Sequence, residues 1–118
     1  MNKRTKVLQF SKETVERIVE RDNFSCLFCR IGYKMTRKNM SSLGFNVFDP
    51  MHFIPKGHGG LGIEENGVLG CRYHHTLLDF PRVEGQREEM LEIMEEYLKS
   101  QYKDWSRDKL VYRKSDYL

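Results

Sequence analysis

Long apolar runs are missing from this chain. No stretch of its 118 residues approaches the roughly 20 that a membrane span needs. No charged start, apolar run and small-residue cleavage site opens the sequence either, so the expected location is cytoplasmic. Apolar residues are scarce: 39% hydrophobic against 31% charged leaves little for a core. A domain this small buries a modest share of its surface, and a staple of some kind is expected. Three cysteines cannot all pair as disulfides, and a reducing compartment disfavours such bonds, which points to thiols acting as metal ligands. No internal repeat is visible, and the length predicts a single domain over 1–118.

What is present is unevenly charged. Residues 1–40 carry ten Lys/Arg against four Asp/Glu, whereas 41–118 carry ten against thirteen, within a formal net charge of +3. That asymmetry suits phosphate contact through the N-terminal half, and equally suits an ordinary solvated surface. Arg30, Lys34, Arg37 and Lys38, with Lys56 farther on, are the candidate DNA-binding residues.

Along the chain, residues 1–9 read as a frayed basic arm. Ser11 is a good N-cap, Phe10 and Val15 hold the positions of a hydrophobic staple, and Val15, Ile18 and Val19 form one stripe. A helix to about Arg21, stopping at Asp22-Asn23, is predicted. Residues 30–44 read as a polar, basic loop. Phe45 to Phe48 and His52 to Ile54 read as two short strands joined through Asp49-Pro50. Lys56 to Gly60 is a turn, Val68-Leu69 a short strand, and 72–79 a helix ended by Pro81. A long helix over about 84–104 carries Met90, Leu91, Met94, Tyr97, Leu98, Tyr102 and Trp105 on one face, a core stripe. Its glutamates come early and its lysines late, as the helix dipole favours. The tail from Lys109 is mixed and carries no signal. The fold class is α+β.

Two cysteine-bearing pairs stand out. Cys26-x-x-Cys29 alone serves zinc or redox chemistry. No strand-helix-strand context of thioredoxin type surrounds it, which favours zinc. Cys71-x-x-His74 supplies a second pair at metal spacing, so Cys26, Cys29, Cys71 and His74 form a Cys3His set. Four ligands close a tetrahedral site, which makes this zinc structural. The adjacent His75 is the alternative fourth ligand.

Arg21-Asp22-Asn23-Phe24-Ser25-Cys26-x-x-Cys29, then His52-x-x-Pro55 and Gly59-Gly60, then Asn66 five residues before Cys71, then His75, follow one another in order. In these motifs, over roughly residues 21–79, the chain resembles the HNH endonuclease family, and within it the small zinc-containing phage- or prophage-type members. The resemblance implies a ββα-metal (His-Me finger) core flanked by the N-terminal helix and the long C-terminal one. It implies His52 as general base, Asn66 as the residue holding His52 in place, and His75 as ligand of a catalytic divalent ion, Mg²⁺ or another. One departure is Met51, where many members place Asp or His as a second ligand. Its thioether suits a hard cation poorly. Asp79, four residues after His75 and on the same helix face, takes that role here, as in colicin-type members, with Asp49 a further candidate. Partners implied are DNA and the terminase or portal proteins of phage packaging. His58 reads as phosphate-facing or merely exposed.

Two functions compete: a metal-dependent endonuclease that nicks or cuts duplex DNA, and a zinc-stabilised DNA-binding or packaging accessory module without catalysis. A zinc-braced protein-interaction module using the acidic C-terminal helix is a third.

Overall fold

The computed structural model describes residues 2–35 and 47–117. Its centre is an antiparallel strand pair, β1 (Phe48–His52) and β2 (Gly67–Cys71), in a register that sets Phe48 opposite Cys71 and His52 opposite Gly67. Of the two strands expected around Asp49-Pro50, Phe45 and Asn46 lie outside the described residues, and β1 runs straight through the proline where a join was expected. Beyond the ladder, Phe53 N–H donates to the Asn66 carbonyl and Arg72 N–H to that of Val47. The alternation of an antiparallel ladder then makes Pro50–Leu69 a non-hydrogen-bonded pair. Pro50 therefore loses no bond by lacking an N–H, as an edge strand allows. The N–H of Leu69 points outward to Asp22 Oδ2, 2.7 Å away.

Among the described residues, three helices precede the hairpin. The first, α1 (Lys3–Leu8), replaces the frayed arm: Asn2 caps it by accepting from Thr5 N–H, Leu8 is buried, and Gly62 N–H donates to the Val7 carbonyl. Ser11 caps α2 (Lys12–Arg21) as expected, accepting from Thr14 N–H at 3.1 Å, and Ile18 is fully buried against β2. Cys26 opens the single turn α3 (Leu27–Arg30).

After β2 the chain turns directly into α4 (Arg72–Asp79), and α5 (Gln86–Gln101) closes the core with Met90, Met94 and Leu98 fully buried along one stripe. The helix is shorter than expected at both ends. Gly85 enters it with φ 80°, a backbone state that suits glycine. Tyr102 and Trp105 pack on the core from beyond its last turn. The Trp105 indole N–H donates to the Glu65 carbonyl at 2.7 Å.

The tail is structural, contrary to its featureless sequence. Leu110 is buried, its carbonyl accepts from Leu61 N–H, and Tyr112 N–H donates to the Gly59 carbonyl, which ties the tail to the Gly59-Gly60 turn. That turn admits no larger residue at Gly60, because a Cβ there would lie 1.7 Å from the Ile54 carbonyl oxygen. Among the described residues no helix is long and apolar enough to cross a membrane.

Candidate metal centre and adjoining cleft

The hairpin brings the two cysteine-bearing pairs together. Cys26 and Cys29 arrive on α3, Cys71 ends β2 and caps α4, and His74 sits in the first turn of α4, fully buried. Donor separations test whether an ion fits. Bonds of about 2.3 Å to sulfur and 2.0–2.1 Å to nitrogen give a tetrahedron with S···S edges of about 3.8 Å and S···N edges of about 3.6 Å. Observed are 3.7 Å between the Cys29 and Cys71 sulfurs, and 3.6, 3.5 and 3.2 Å from His74 Nδ1 to Cys26, Cys29 and Cys71. All four donors lie within 4.8 Å of one another, and this is the one such group of three or more among the described residues.

The imidazole is in the right tautomer. His74 Nε2 lies 2.7 Å from the Tyr33 carbonyl oxygen, which can only accept. Nε2 therefore carries the proton and Nδ1 turns its lone pair to the thiols, the outer-shell orientation typical of metal-bound histidine. The fourth donor is His74, and His75 faces elsewhere. Without a cation, one thiolate is favoured. The Cys71 thiol, donating to it, draws Cys26 down to about 4, and burial with the Cys26 charge pushes Cys29 up to about 11. Cys71 is also held up, first by the bond it donates to Cys26 and then by burial. Three sulfur donors and one imidazole nitrogen gathered in so small a space could hold a cation, and the donor set suits zinc.

The second site lies across the hairpin. His52 ends β1, half-buried against Phe10, with ring centroids 4.1 Å apart. Its Nε2 lies 2.8 Å from the Leu8 carbonyl oxygen, so Nε2 is protonated and Nδ1 keeps its lone pair. Burial lowers its pKa below 6.5, the Leu8 bond raises it in part, and the Lys56 charge lowers it further. His52 lines a cavity of about 500 Å³ that also takes in His75, Asp79, Lys56 and Arg87.

On α4, His75 Nδ1 stands 3.2 Å from Asp49 Oδ2 and its Nε2 stands 3.5 Å from Asp79 Oδ2. Only the Asp49 contact has hydrogen-bond geometry, so Nδ1–H donates to Asp49 and Nε2 is left facing Asp79. At metal–donor distances of about 2.0–2.2 Å, two donors on one ion stand roughly 3.0–3.6 Å apart. The Nε2/Oδ2 pair fits a divalent cation. Asp49 is placed differently from the ligand role considered for it. Arg72 grips it at 2.9 and 3.2 Å, which holds its carboxyl below the usual range, and it orients His75. Met51 borders the cavity but is buried, its side chain lying over Gly70.

Asn66 is fully buried and spends its whole amide on the loop after His52. It accepts from Ile54 N–H at 2.8 Å and donates to the Ile54 and Leu61 carbonyls at 3.1 and 2.9 Å. It thus fixes the backbone beside His52, while Leu8 fixes the imidazole. Of the basic residues, Lys56 faces the cavity. Arg30 is instead bound to the Asp22 and Ser25 carbonyls and stacked on Tyr97, and Lys34 lies over the Tyr33 ring. Arg37 and Lys38 lie outside the described residues. His58 is exposed.

Two features lay beyond the sequence reading. Arg87, in an acid-rich helix start, gave no basic cluster to notice, yet it lines the His52 cavity. Asp22, taken as a helix stop, is 1% exposed. It binds Arg21 through both oxygens at 2.8 and 3.0 Å, and accepts from Leu69 N–H and the Tyr97 hydroxyl. The chain matches no family model, and neither the curated proteins nor the solved structures include a match to it.

Proposed function

We propose that this protein is a metal-dependent endonuclease of the ββα-metal type that hydrolyses phosphodiester bonds in DNA. The observation that carries the reading is one cavity holding a neutral, oriented imidazole together with a histidine–carboxylate pair at cation spacing. His52 Nδ1 is the acceptor for a proton from the attacking water. The water oxygen bonds to phosphorus, the P–O3′ bond breaks, and the leaving oxygen takes its proton from solvent. His75 and Asp79 would hold a divalent ion such as Mg²⁺, whose chemistry is positive charge against the phosphorane and the departing oxygen. Lys56 and Arg87, which make no ion pair among the described residues, add charge for the phosphate oxygens. The Cys3His centre with zinc bound braces α3, β2 and α4, and so fixes His75 relative to His52.

A second reading, a zinc-stabilised DNA-binding accessory module, is favoured by the short donor set. With Met51 in the core and Asp49 held by Arg72, only His75 and Asp79 among the described residues would face an ion. Cleavage of plasmid and of single-stranded DNA in Mg²⁺, Mn²⁺ or Ni²⁺ separates the two. The endonuclease reading expects cleavage that His52→Ala lowers by about 10²–10⁴-fold. Equal cleavage by both proteins removes His52 from the mechanism, and none by either leaves the accessory module.

A further inference from the structure

The His75/Asp79 pair is reached from two sides. The His52 cavity and a groove of about 520 Å³ beyond it share Pro50, His75 and Asp79. A molecule held at the pair therefore has room to continue past it in both directions, as a polymer requires. The far groove is walled by Arg72 and Phe80.

Phe80 is the first residue after α4 and, at 74%, the most exposed large apolar side chain among the described residues. Its backbone is pinned, since its N–H donates to the Thr76 carbonyl at 2.8 Å and Pro81 follows. The ring thus leaves the backbone at a fixed point, one residue from the proposed cation ligand Asp79, and is largely open to solvent.

The occupant of such a place must be apolar on one side and charged on the other. An apolar protein surface laid on Phe80 would also cover the Asp49–Arg72 pair and the half-exposed Asp79 carboxylate, burying charge at a penalty. A nucleotide meets both demands: its base offers a π-face to the ring, and its phosphate belongs at the cation. Resting on the nucleic-acid reading above, we infer that Phe80 is a stacking platform for the nucleobase flanking the bond at His75/Asp79. The site accordingly takes single strands, flaps or gaps in preference to unbroken duplex. A base inside a duplex stack has no free face for the ring.

The test reads binding, not cleavage. The whole chain carrying His52→Ala, in Mg²⁺, is titrated into single-stranded DNA bearing 2-aminopurine and into its blunt duplex. The single strand should bind more tightly and its fluorescence should be quenched. Phe80→Ala should weaken single-strand binding roughly 5- to 150-fold, the range of one base–aromatic stack, and abolish the quench. Phe80→Trp should restore both. Val83→Ser, at the next exposed apolar residue, should change neither. Unchanged single-strand binding in Phe80→Ala overturns the inference. So does an equal loss in Val83→Ser, which would make the patch a general apolar contact. Quenching without cleavage of that same single strand by the unsubstituted protein sinks the nuclease reading alone, and cleavage of it without quenching sinks the stacking platform alone.

Discussion

The imidazole of His52 is held by the carbonyl of Leu8, 44 residues earlier, at 2.8 Å. This one bond decides which nitrogen carries the proton, and so leaves Nδ1 of the half-buried ring as its free acceptor. The N-terminal helix is therefore part of the site. Burial lowers the pKa of this histidine below 6.5, and Lys56 adds to the effect.

The first prediction follows from that shift. Cleavage of an activated phosphodiester should lose activity on the acid side only, with a midpoint below 6.5, because protonated His52 cannot accept. Lys56→Gln should move that midpoint upward. Stability has the same sign: the unfolded chain binds this proton more readily, so the contribution is full above 6.5 and falls as pH drops toward the folded value. A rate profile with its acid midpoint at or above 6.5 would refute the assignment.

A second prediction concerns the Cys3His centre. One zinc per chain is expected, released in acid as the thiols protonate. Its binding is worth on the order of 10 kcal/mol in comparable small sites, the scale of the whole stability of a small domain. Chelation, or Cys29→Ser, should abolish cooperative thermal unfolding followed by circular dichroism. A metal-stripped chain that melts as sharply as the loaded one contradicts a structural ion.

How much of this was legible in the sequence follows from the range of each interaction. The two metal-spaced pairs, the Ser11 cap and the Met90–Met94–Leu98 stripe are local patterns, and each appears where the pattern put it. Pro50 misled because a proline signals a break unless its strand lies at an edge, and edge status depends on the sheet. The Leu8–His52 bond, the tail at Gly59-Gly60 and the Asp22 hub join groups far apart in sequence, each at least partly through backbone atoms. No composition or spacing encodes them.

Asp22 carries the third prediction. Its carboxylate is buried and shared by Arg21, the Leu69 N–H and the Tyr97 hydroxyl, tying α2 to β2 and α5. Asp22→Ala would leave the Arg21 guanidinium, 12% exposed at its side chain, without a counter-charge. Breaking such a pair on one side typically loses about 3–5 kcal/mol. Tyr97→Phe, which removes one donor, should lose about 1–3 kcal/mol. Urea denaturation measures both, and a loss below that of Tyr97→Phe would show the network to be dispensable.

Asp49 and Asp79 flank opposite edges of His75, and the fourth prediction separates their roles. Asp79 faces the Nε2 lone pair and should be a ligand, so Asp79→Ala should abolish Mn²⁺ binding measured by calorimetry. Asp49 faces Nδ1–H, and its loss frees the ring to rotate and strands Arg72. Outer-shell losses of this kind lower metal affinity by about 10–100-fold, so Asp49→Ala should weaken Mn²⁺ binding without eliminating it. Arg72→Gln, which leaves the carboxylate in place but loosens it, should fall between Asp49→Ala and the unsubstituted chain. If Asp49→Ala proves as damaging as Asp79→Ala, the two carboxylates share the ion. His75 would then present Nδ1, and the tautomer derived from the Asp49 contact would be the wrong one.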